Sequence, residues 1–224
     1  MARDLPGTTS DYLYVGDVAA IDITGTALTV AAWVLLDANT NRTVAAKYDQ
    51  TGAGNQYLLY IDGSSNLTMI VSDSGGDDTA AGATGVSTGV WHHAAGVKNG
   101  TGAGALKAYL DGAQDASVTS DRSIQGTASV LHIGRYSNAA APFDGAIAEV
   151  GIWDAALSAA EIAALARGVS PLHIRRPSLR GYWPLFGAAY PEADLGGSAN
   201  GAAQVGTVAA RAHAPVGRLF PQAS

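Results

Sequence analysis

Short segments in which apolar and polar residues alternate run through this chain, and turn-forming residues separate them. In Leu106–Asp111 the even positions are all apolar, whereas lysine, tyrosine and aspartate occupy the odd positions. Such alternation is typical of an antiparallel strand with one face buried. Asp62-Gly63 and Asp111-Gly112 follow two of these segments, and glycine readily takes the positive φ of a hairpin turn. The pattern predicts an all-β, antiparallel sandwich.

Leu28–Leu36 is apolar on both faces, so we expect it to be central in its sheet, or covered by another chain or by the C-terminal segment. One short helix is predicted over Ser158–Arg167, where Ser158 and Glu161 form a capping box. Gly75–Asp78 and Gly100–Gly104 are interpreted as exposed loop tips. The predicted strands are Asp11–Val15, Leu28–Leu36, Thr43–Tyr48, Gln56–Asp62, Leu67–Ser72, Val90–Lys98, Leu106–Asp111, Val130–Gly134 and Ala146–Trp153.

The composition excludes several classes of protein. With 47% hydrophobic residues, 14% charged residues and 28 glycines, the chain suits a turn-rich sandwich and not a disordered protein. A net charge of −6 lacks the basic surface of a general nucleic-acid binder. There is no cysteine for a disulfide or a thiolate metal site. The acidic charge therefore predicts no nucleic-acid partner. No apolar run is long enough to span a bilayer, so we also predict no membrane insertion.

Several motifs carry a family resemblance through their order and spacing. They are GVWHHAAGVK at 89–98, LKAYLDG at 106–112, LHIGR at 131–135, FDGAIAEVGIW at 143–153 and ALSAAEIAAL at 156–165. Together they resemble the laminin G-like (concanavalin A-like lectin/glucanase) jelly-roll family. The resemblance implies a jelly-roll β-sandwich with one short helix. It also implies binding, because modules of this family bind sugars or protein surfaces far more often than they catalyse.

One further motif lies at an unusual place in the chain. Leu179–Leu185, followed by Asp194–Gly201, resembles a stretch that in this family usually precedes the strand corresponding here to Asp11–Val15. We therefore predict a circular permutation, in which Gly181–Phe186 returns as a strand beside Asp11–Val15. The predicted domain spans residues 1–208, with its core at 10–168 and returning strands at 179–208. Residues 209–224 are predicted to be a C-terminal tail.

A sugar site needs exposed aromatic rings that stack on pyranose faces, with amide and carboxylate groups nearby for the hydroxyls. One predicted loop provides both kinds of group, and it supplies our candidate ligand-binding residues Tyr136, Asn138, Phe143 and Asp144. A second loop is flanked by Tyr48, Asn55 and Tyr57. We expect at least half of these side chains to be packing residues.

Calcium is the one cofactor that the family resemblance suggests. Many relatives bind one Ca²⁺ at the rim of the sandwich, through the Asp of an Asp-x-Ser-Gly loop, backbone carbonyls and an acidic strand residue. The matching positions are Asp194, the carbonyls around Asn200, and Glu149. Ala148 stands where the family usually has an aspartate, and Ca²⁺ takes roughly six to eight oxygen ligands. We therefore expect a weak calcium site or none.

Enzyme chemistry finds little support in the sequence. Glycoside hydrolysis needs paired carboxylates, and the Glu-x-Asp-x-Glu array usual in jelly-roll glucanases is missing. His92 and His93 cannot chelate one ion from a regular strand, because adjacent side chains point to opposite faces. The resemblance instead gives their strand a structural role, with Trp91 in the core. Since no nucleophile elbow or Cys/His nucleophile pair is present either, we predict that the protein is not an enzyme.

We therefore predict a non-enzymatic recognition or structural module, with glycan adhesion, on a virion exterior or a bacterial surface. Its partner is a glycan or a protein surface, and it forms a homo-oligomer or attaches to a larger assembly. Two alternatives stay open: a dedicated carbohydrate-binding module (lectin) of a larger hydrolytic system and, less favoured, a glycoside hydrolase or lyase. Laminin G-like modules generally work outside cells, so the resemblance implies an extracellular or virion location. The first nine residues lack the apolar region of a signal peptide, so we expect either a sequence trimmed from a longer chain or a protein released by lysis.

Overall fold

A computed structural model describes residues 2–38, 41–49, 54–137, 141–186, 190–197, 201–214 and 216. They form two antiparallel sheets and one α-helix, which confirms the predicted all-β jelly-roll sandwich. The helix is α1 (Ala159–Ala166). The strands are β1 (Ala2–Pro6), β2 (Tyr12–Val15), β3 (Ala27–Leu36), β4 (Arg42–Lys47), β5 (Tyr57–Ile61), β6 (Asn66–Asp73), β7 (Gly76–Gly85), β8 (Trp91–Asn99), β9 (Gly102–Leu110), β10 (Ala113–Ser120), β11 (Leu131–Ile133), β12 (Asp144–Trp153), β13 (Leu179–Trp183), β14 (Ala203–Val205) and β15 (Ala209–Arg211).

The strands divide into an eight-stranded and a seven-stranded sheet. The eight-stranded sheet has the order β10-β9-β8-β3-β12-β1-β15, and β13 pairs with β12 beside this path. The seven-stranded sheet has the order β14-β2-β11-β4-β5-β6-β7. Strand β12 pairs with β3 along one side, while its other side pairs first with β1 and then with β13. The register shifts at Glu149, whose φ of 56° marks a bulge in this strand.

The main core lies between the two sheets, because alternate residues of each strand point inward. Leu28, Val30 and Val34 of β3 belong to the same buried cluster as Leu59 of β5 and Met69 of β6. Burying one such side chain stabilises the fold by about 1.5–3 kcal/mol. This cluster holds the two sheets together as one domain.

The outer face of the eight-stranded sheet is also covered. Helix α1 begins with the predicted capping box, in which Ser158 N–H donates to Glu161 Oε2 over 2.7 Å and Glu161 N–H donates to Ser158 Oγ over 3.3 Å. Its residues Ile162 and Leu165 pack with Trp153 in a second buried cluster. The C-terminal residues around Ala214 cover a neighbouring part of the same face. Strand β3 is therefore central and covered on its second face, as its sequence predicts.

Two predicted loop tips are only partly correct: Gly75 and Gly100 lie in the turns before β7 and β9, but the residues after these turns are strands. Gly76–Asp78 begin β7, and Gly102–Gly104 begin β9. Strand β7 lies at the edge of its sheet and buries few side chains, among them Ala80, so its sequence shows no clear apolar alternation. The mostly exposed strand β10 was missed for the same reason.

The predicted position of the returning strand is also wrong. Strand β13 pairs with β12 in the eight-stranded sheet, while β14 takes the place beside β2. Tyr182, Trp183 and Leu185 are nevertheless buried, as expected. The sandwich also extends beyond residue 208, because β15 pairs with β1. The segment predicted as a tail thus begins with a strand.

Trp91 lies outside the main core, contrary to prediction. It is only partly buried and packs with Trp33 and Leu35 on the outer face of the eight-stranded sheet. His93 lies against Trp33, with ring centroids 5.6 Å apart. In the part of the chain that the structure describes, no helix is long and apolar enough to cross a membrane.

Candidate functional site

The outer face of the seven-stranded sheet carries a transverse row of side chains that crosses six strands. The residues of the row pair with one another on neighbouring strands from β2 to β7. Side chains two positions before or after them on the same strand lie on the same face. The row consists of Tyr14, His132, Ala46, Leu58, Ile70 and Thr79. Further tyrosines lie beside each half of the row, and the residues of the two halves form two neighbouring clusters.

The first cluster is a groove of about 340 Å³ that we call the tyrosine groove. Leu58 and Ile70 are apolar parts of its lining, and both side chains are buried. The rings of Tyr48, Tyr60 and Tyr136 line it, with Asn41 and Ala141 completing the set. Tyr60 and Tyr136 are each half-buried, so part of each ring faces solvent.

The groove combines fixed rings with hydroxyl groups that stay protonated. The rings of Tyr48 and Tyr136 meet edge to face, with centroids 6.0 Å apart and planes at 81°. Tyr48 donates its hydroxyl hydrogen to Asp77 Oδ2 over 2.5 Å, and Ser72 donates to Asp77 Oδ1 over 2.6 Å. Burial, reinforced by Asp77, raises the pKa of the Tyr48 hydroxyl. Burial likewise raises the pKa of Tyr136, so both phenols are neutral at pH 7.

The second cluster, which we call the Arg135 cluster, consists of Tyr12, Tyr14, His132 and Arg135. The guanidinium carbon of Arg135 lies 3.5 Å from the centre of the Tyr12 ring. The Tyr12 ring centroid is 5.5 Å from that of His132 and 6.4 Å from that of Tyr14. Tyr14 is 37% exposed. His132 of this cluster pairs with Ala46, and Ala46 pairs with Leu58 of the tyrosine groove, so the two clusters adjoin on one face.

The structure describes three of the four residues predicted as ligand-binding, and it places them in different surroundings. Tyr136 lines the tyrosine groove. Phe143 is fully buried in the main core, where its ring is closed to a ligand. Asp144 lies at the start of β12, 3.4 Å from the guanidinium of Arg42. Asn138 lies outside the described residues.

The residues that flank the second predicted loop also lie in different surroundings. Tyr48 lines the tyrosine groove, whereas Tyr57 is fully buried between the sheets. Asn55 is buried and accepts the Asp49 N–H at Oδ1 over 3.0 Å, so it supports the loop.

Sequence reasoning missed Tyr60 and the whole Arg135 cluster. The signal was available for Tyr12 and Tyr14, because they alternate with the core residues Leu13 and Val15 in β2. Two tyrosines on the solvent side of a half-buried strand indicate an aromatic face. Their nearness to Arg135 depends on the pairing of β2 with β11, which a single sequence does not display.

The residues predicted for calcium contact opposite ends of one tyrosine. Asp194 Oδ1 accepts the backbone N–H groups of Tyr182 and Gly196, each over 2.7 Å. Glu149 accepts the Tyr182 hydroxyl and lies 3.0 Å from His213 Nε2. Asn200 lies outside the described residues. Among the residues described, no group of three or more acidic or imidazole side chains could hold a metal ion.

Ser87, His92 and Asp111 form a hydrogen-bonded chain in the order of a hydrolase triad. Ser87 Oγ is 2.8 Å from His92 Nε2, and His92 Nδ1 is 2.7 Å from Asp111 Oδ2. Asp111 Oδ1 also accepts the His93 N–H over 2.8 Å. The Asp111 side chain is 50% exposed, whereas a triad aspartate is buried. We assign these contacts to the scaffold, where they tie the start of β8 to the β9–β10 turn.

A family model described as the concanavalin A-like lectin/glucanases superfamily matches residues 7–163. No curated protein sequence matches this chain. A solved structure named as that of a candidate carbohydrate-binding protein from Bacteroides ovatus superposes with a TM-score of 0.70 at 18% identity. The match covers 96% of this chain and 61% of that one, so this chain spans less than two thirds of its length.

Two further structures were solved with bound sugars. Domain 4 of an extracellular GH43 arabinanase from Geobacillus stearothermophilus, in complex with arabinotriose, gives a TM-score of 0.52 at 21% identity and covers 69% of this chain and 72% of that one. The CBM40 of a Ruminococcus gnavus IT-sialidase, bound to α2,3-sialyllactose, gives 0.55 at 14% identity and covers 73% and 97%. These likenesses show a shared fold. Because the family model spans more than half of the sequence, the chain belongs to the laminin G-like family of the concanavalin A-like lectin/glucanases superfamily.

Proposed function

We propose that this protein is a non-enzymatic carbohydrate-binding module whose ligand lies in the tyrosine groove. The observation that carries the proposal is the half-buried pair Tyr60 and Tyr136 above an apolar floor. A sugar ring has an apolar face that stacks on aromatic rings and hydroxyl groups that need hydrogen-bond partners. The neutral tyrosine hydroxyls meet the second need.

This proposal is supported by what the names of the superposed structures say that these proteins bind. Three of them are named as a candidate carbohydrate-binding protein, a CBM40 bound to sialyllactose and a domain in complex with arabinotriose. Because these structures are only 14–21% identical to this chain, the sugar that it binds is to be identified by experiment.

We further propose that the module works outside the cell, on a virion exterior or a bacterial surface. Family membership supports an extracellular setting. Within this proposal the module adheres to a glycan by itself or serves a larger hydrolytic assembly. The competing class is a structural accessory whose partner is a protein surface or a second copy of this chain.

A glycan array probed with the purified chain separates these classes. The sugar that binds best is then titrated by calorimetry into Tyr60→Ala and Tyr136→Ala, with Tyr60→Phe and Tyr136→Phe as matched variants that keep the ring. Val90→Ala removes an exposed apolar side chain just before β8 of the other sheet and serves as control. Loss of stacking on one ring is worth about 0.5–1.5 kcal/mol beyond the lost contact area.

We expect both alanine variants to weaken binding about tenfold or more, which corresponds to about 1.4 kcal/mol. The phenylalanine variants keep the ring and lose a hydroxyl, so they should weaken binding less than the alanine variants, and Val90→Ala should be unchanged. Binding that is insensitive to both alanine variants would place the ligand elsewhere. Absence of glycan binding together with stable self-association would favour the structural accessory.

A further inference from the structure

Within the described residues, the Arg135 cluster holds two buried hydrogen-bonding groups that have no partner. Arg135 Nη1 donates to the Thr9 carbonyl over 2.9 Å, but its buried Nε has no hydrogen-bond partner among the described residues. The imidazole Nδ1 of His132 is likewise buried and unpartnered within the described chain. A buried polar atom without a partner costs about 1–3 kcal/mol, so such atoms are rarely left unused.

Arg135 also differs from most arginines of the chain in its charge environment. Six other described arginines form ion pairs, such as Arg42 with Asp144 and Arg122 with Asp73. Within the described residues, no carboxylate lies within ion-pair distance of Arg135. The nearby Asp11 accepts the Thr8 hydroxyl and the Thr207 N–H instead. The guanidinium therefore keeps an uncompensated positive charge on a face of an otherwise acidic protein.

The surroundings of Arg135 suit an anionic sugar better than an isolated ion. Its guanidinium is stacked on Tyr12, which fixes the plane of its donors. A guanidinium in a fixed plane presents paired N–H groups that match a carboxylate or a sulfate. Tyr14 offers an exposed ring beside it, and burial lowers the pKa of His132 to about 4, so this imidazole is neutral at pH 7.

We propose that the glycan carries an anionic group, a carboxylate or a sulfate ester, that binds Arg135 while the sugar chain runs from Tyr14 to the tyrosine groove. This inference rests on the proposed function and names the ligand class of that same face. His132 of the Arg135 cluster and Leu58 of the tyrosine groove both pair with Ala46, so a sugar chain that crosses these neighbouring strands would contact both clusters.

Matched ligand pairs test the inference. Calorimetry compares oligogalacturonate with its carboxyl-reduced neutral counterpart, and a sulfated galactan oligosaccharide with its desulfated counterpart. The proteins are the wild type, Arg135→Gln, Arg135→Lys and the control Arg167→Gln, which removes an arginine at the end of α1 on the opposite sheet. Thermal melting of each variant checks that the fold is intact.

We expect the wild type to bind one anionic member at least tenfold tighter than its neutral counterpart. Arg135→Gln should weaken binding of the anionic member until the preference is lost, Arg135→Lys should retain part of the preference, and Arg167→Gln should retain all of it and leave neutral binding unchanged. The preferred pair distinguishes carboxylate from sulfate.

Equal binding of charged and neutral members, with no effect of Arg135→Gln, would overturn this inference. If Tyr136→Ala still abolished that binding, the proposed function would stand without it. If no member of either pair bound and the array were also negative, both proposals would fail together.

Discussion

Among single residues, the buried His93 has the clearest consequence for stability. Burial lowers its pKa from 6.5 to about 4, against a smaller opposing effect of Asp111. Between these values the unfolded chain binds a proton that the folded chain does not, so stability falls as pH is lowered from 6.5 to 4. At about 1.4 kcal/mol per pH unit, the loss reaches about 3 kcal/mol.

Urea unfolding at pH 7.0, 5.5 and 4.5 measures this loss. His93→Phe removes the titrating group, so its stability should depend less on pH over that range than that of the wild type. His173→Gln, at an exposed histidine, is the matched control and should keep the wild-type dependence. If His93→Phe and the wild type lost stability equally on acidification, the buried neutral histidine would not be its source.

Ser87 provides a second test at this scale. Since we assign its contact with His92 to the scaffold, a fluorophosphonate serine probe should leave Ser87 unlabelled. The purified protein should also release no reducing ends from β-glucans, alginate or agarose. Ser87→Ala should bind glycan as the wild type does. Labelling of Ser87 that disappears in His92→Ala would show an activated nucleophile, and the non-enzymatic account would be wrong.

Site residues were only partly predictable from the sequence. Tyr136 was identified because an aromatic residue in a polar loop stands out, but Phe143 in the same loop fills the core. Loops have no periodicity from which to decide which side chains point outward. Tyr60 and Arg135 gain their roles from neighbours on other strands, and a single sequence does not display those pairings.

At the scale of elements, Asp194 holds its loop to β13. Its carboxylate accepts the N–H groups of Tyr182 and Gly196, so Asp194→Ala should destabilise the fold by about 1–3 kcal/mol whether or not calcium is present. Thermal melts in calcium and in chelator should show the same loss, while Asp194→Asn keeps an acceptor and loses less. A wild-type melting temperature that fell by ten degrees or more in chelator alone would reveal a well-formed calcium site.

The C-terminal strands complete both sheets. Strand β13 pairs with β12, β14 with β2, and β15 with β1. Deleting residues 178–224 would expose these edges and the apolar surface around the buried Trp183, whose truncation alone typically costs about 3–5 kcal/mol. We expect that deletion to aggregate, whereas removal of 217–224 should leave a cooperative melt. A soluble, monomeric and cooperatively melting 1–177 fragment would show that these strands are an appendage and would defeat the permutation hypothesis.

Elements were predictable where polar and apolar residues alternate or a helix cap is present, although the predicted solvent face of β9 is covered, because Tyr109 is buried beside Trp153. The alternation in Leu106–Asp111 and the capping box at Ser158 both led to correct elements. Strands β7 and β10 escaped prediction because edge strands bury few side chains. The partner of β13 escaped because burial of Tyr182 and Trp183 is equally compatible with either sheet.

For the whole molecule, the two sheets differ in what covers them. Helix α1 and the C-terminal residues pack on the outer face of the eight-stranded sheet. The outer face of the seven-stranded sheet carries the tyrosine groove and the Arg135 cluster. We propose that this asymmetry separates a structural side from a binding side, and this is the central claim of our account.

Backbone amide shift mapping by NMR during a titration tests that claim most directly, with the sugar that binds best on the array as the ligand. We predict that perturbed amides cluster on β2, β4, β5 and β11, around Tyr14, Tyr60 and Tyr136, while α1 and β13 stay unchanged. Perturbations confined to the loop around Asp194 and the bulge at Glu149 would place the ligand at the rim of the sandwich and contradict the account.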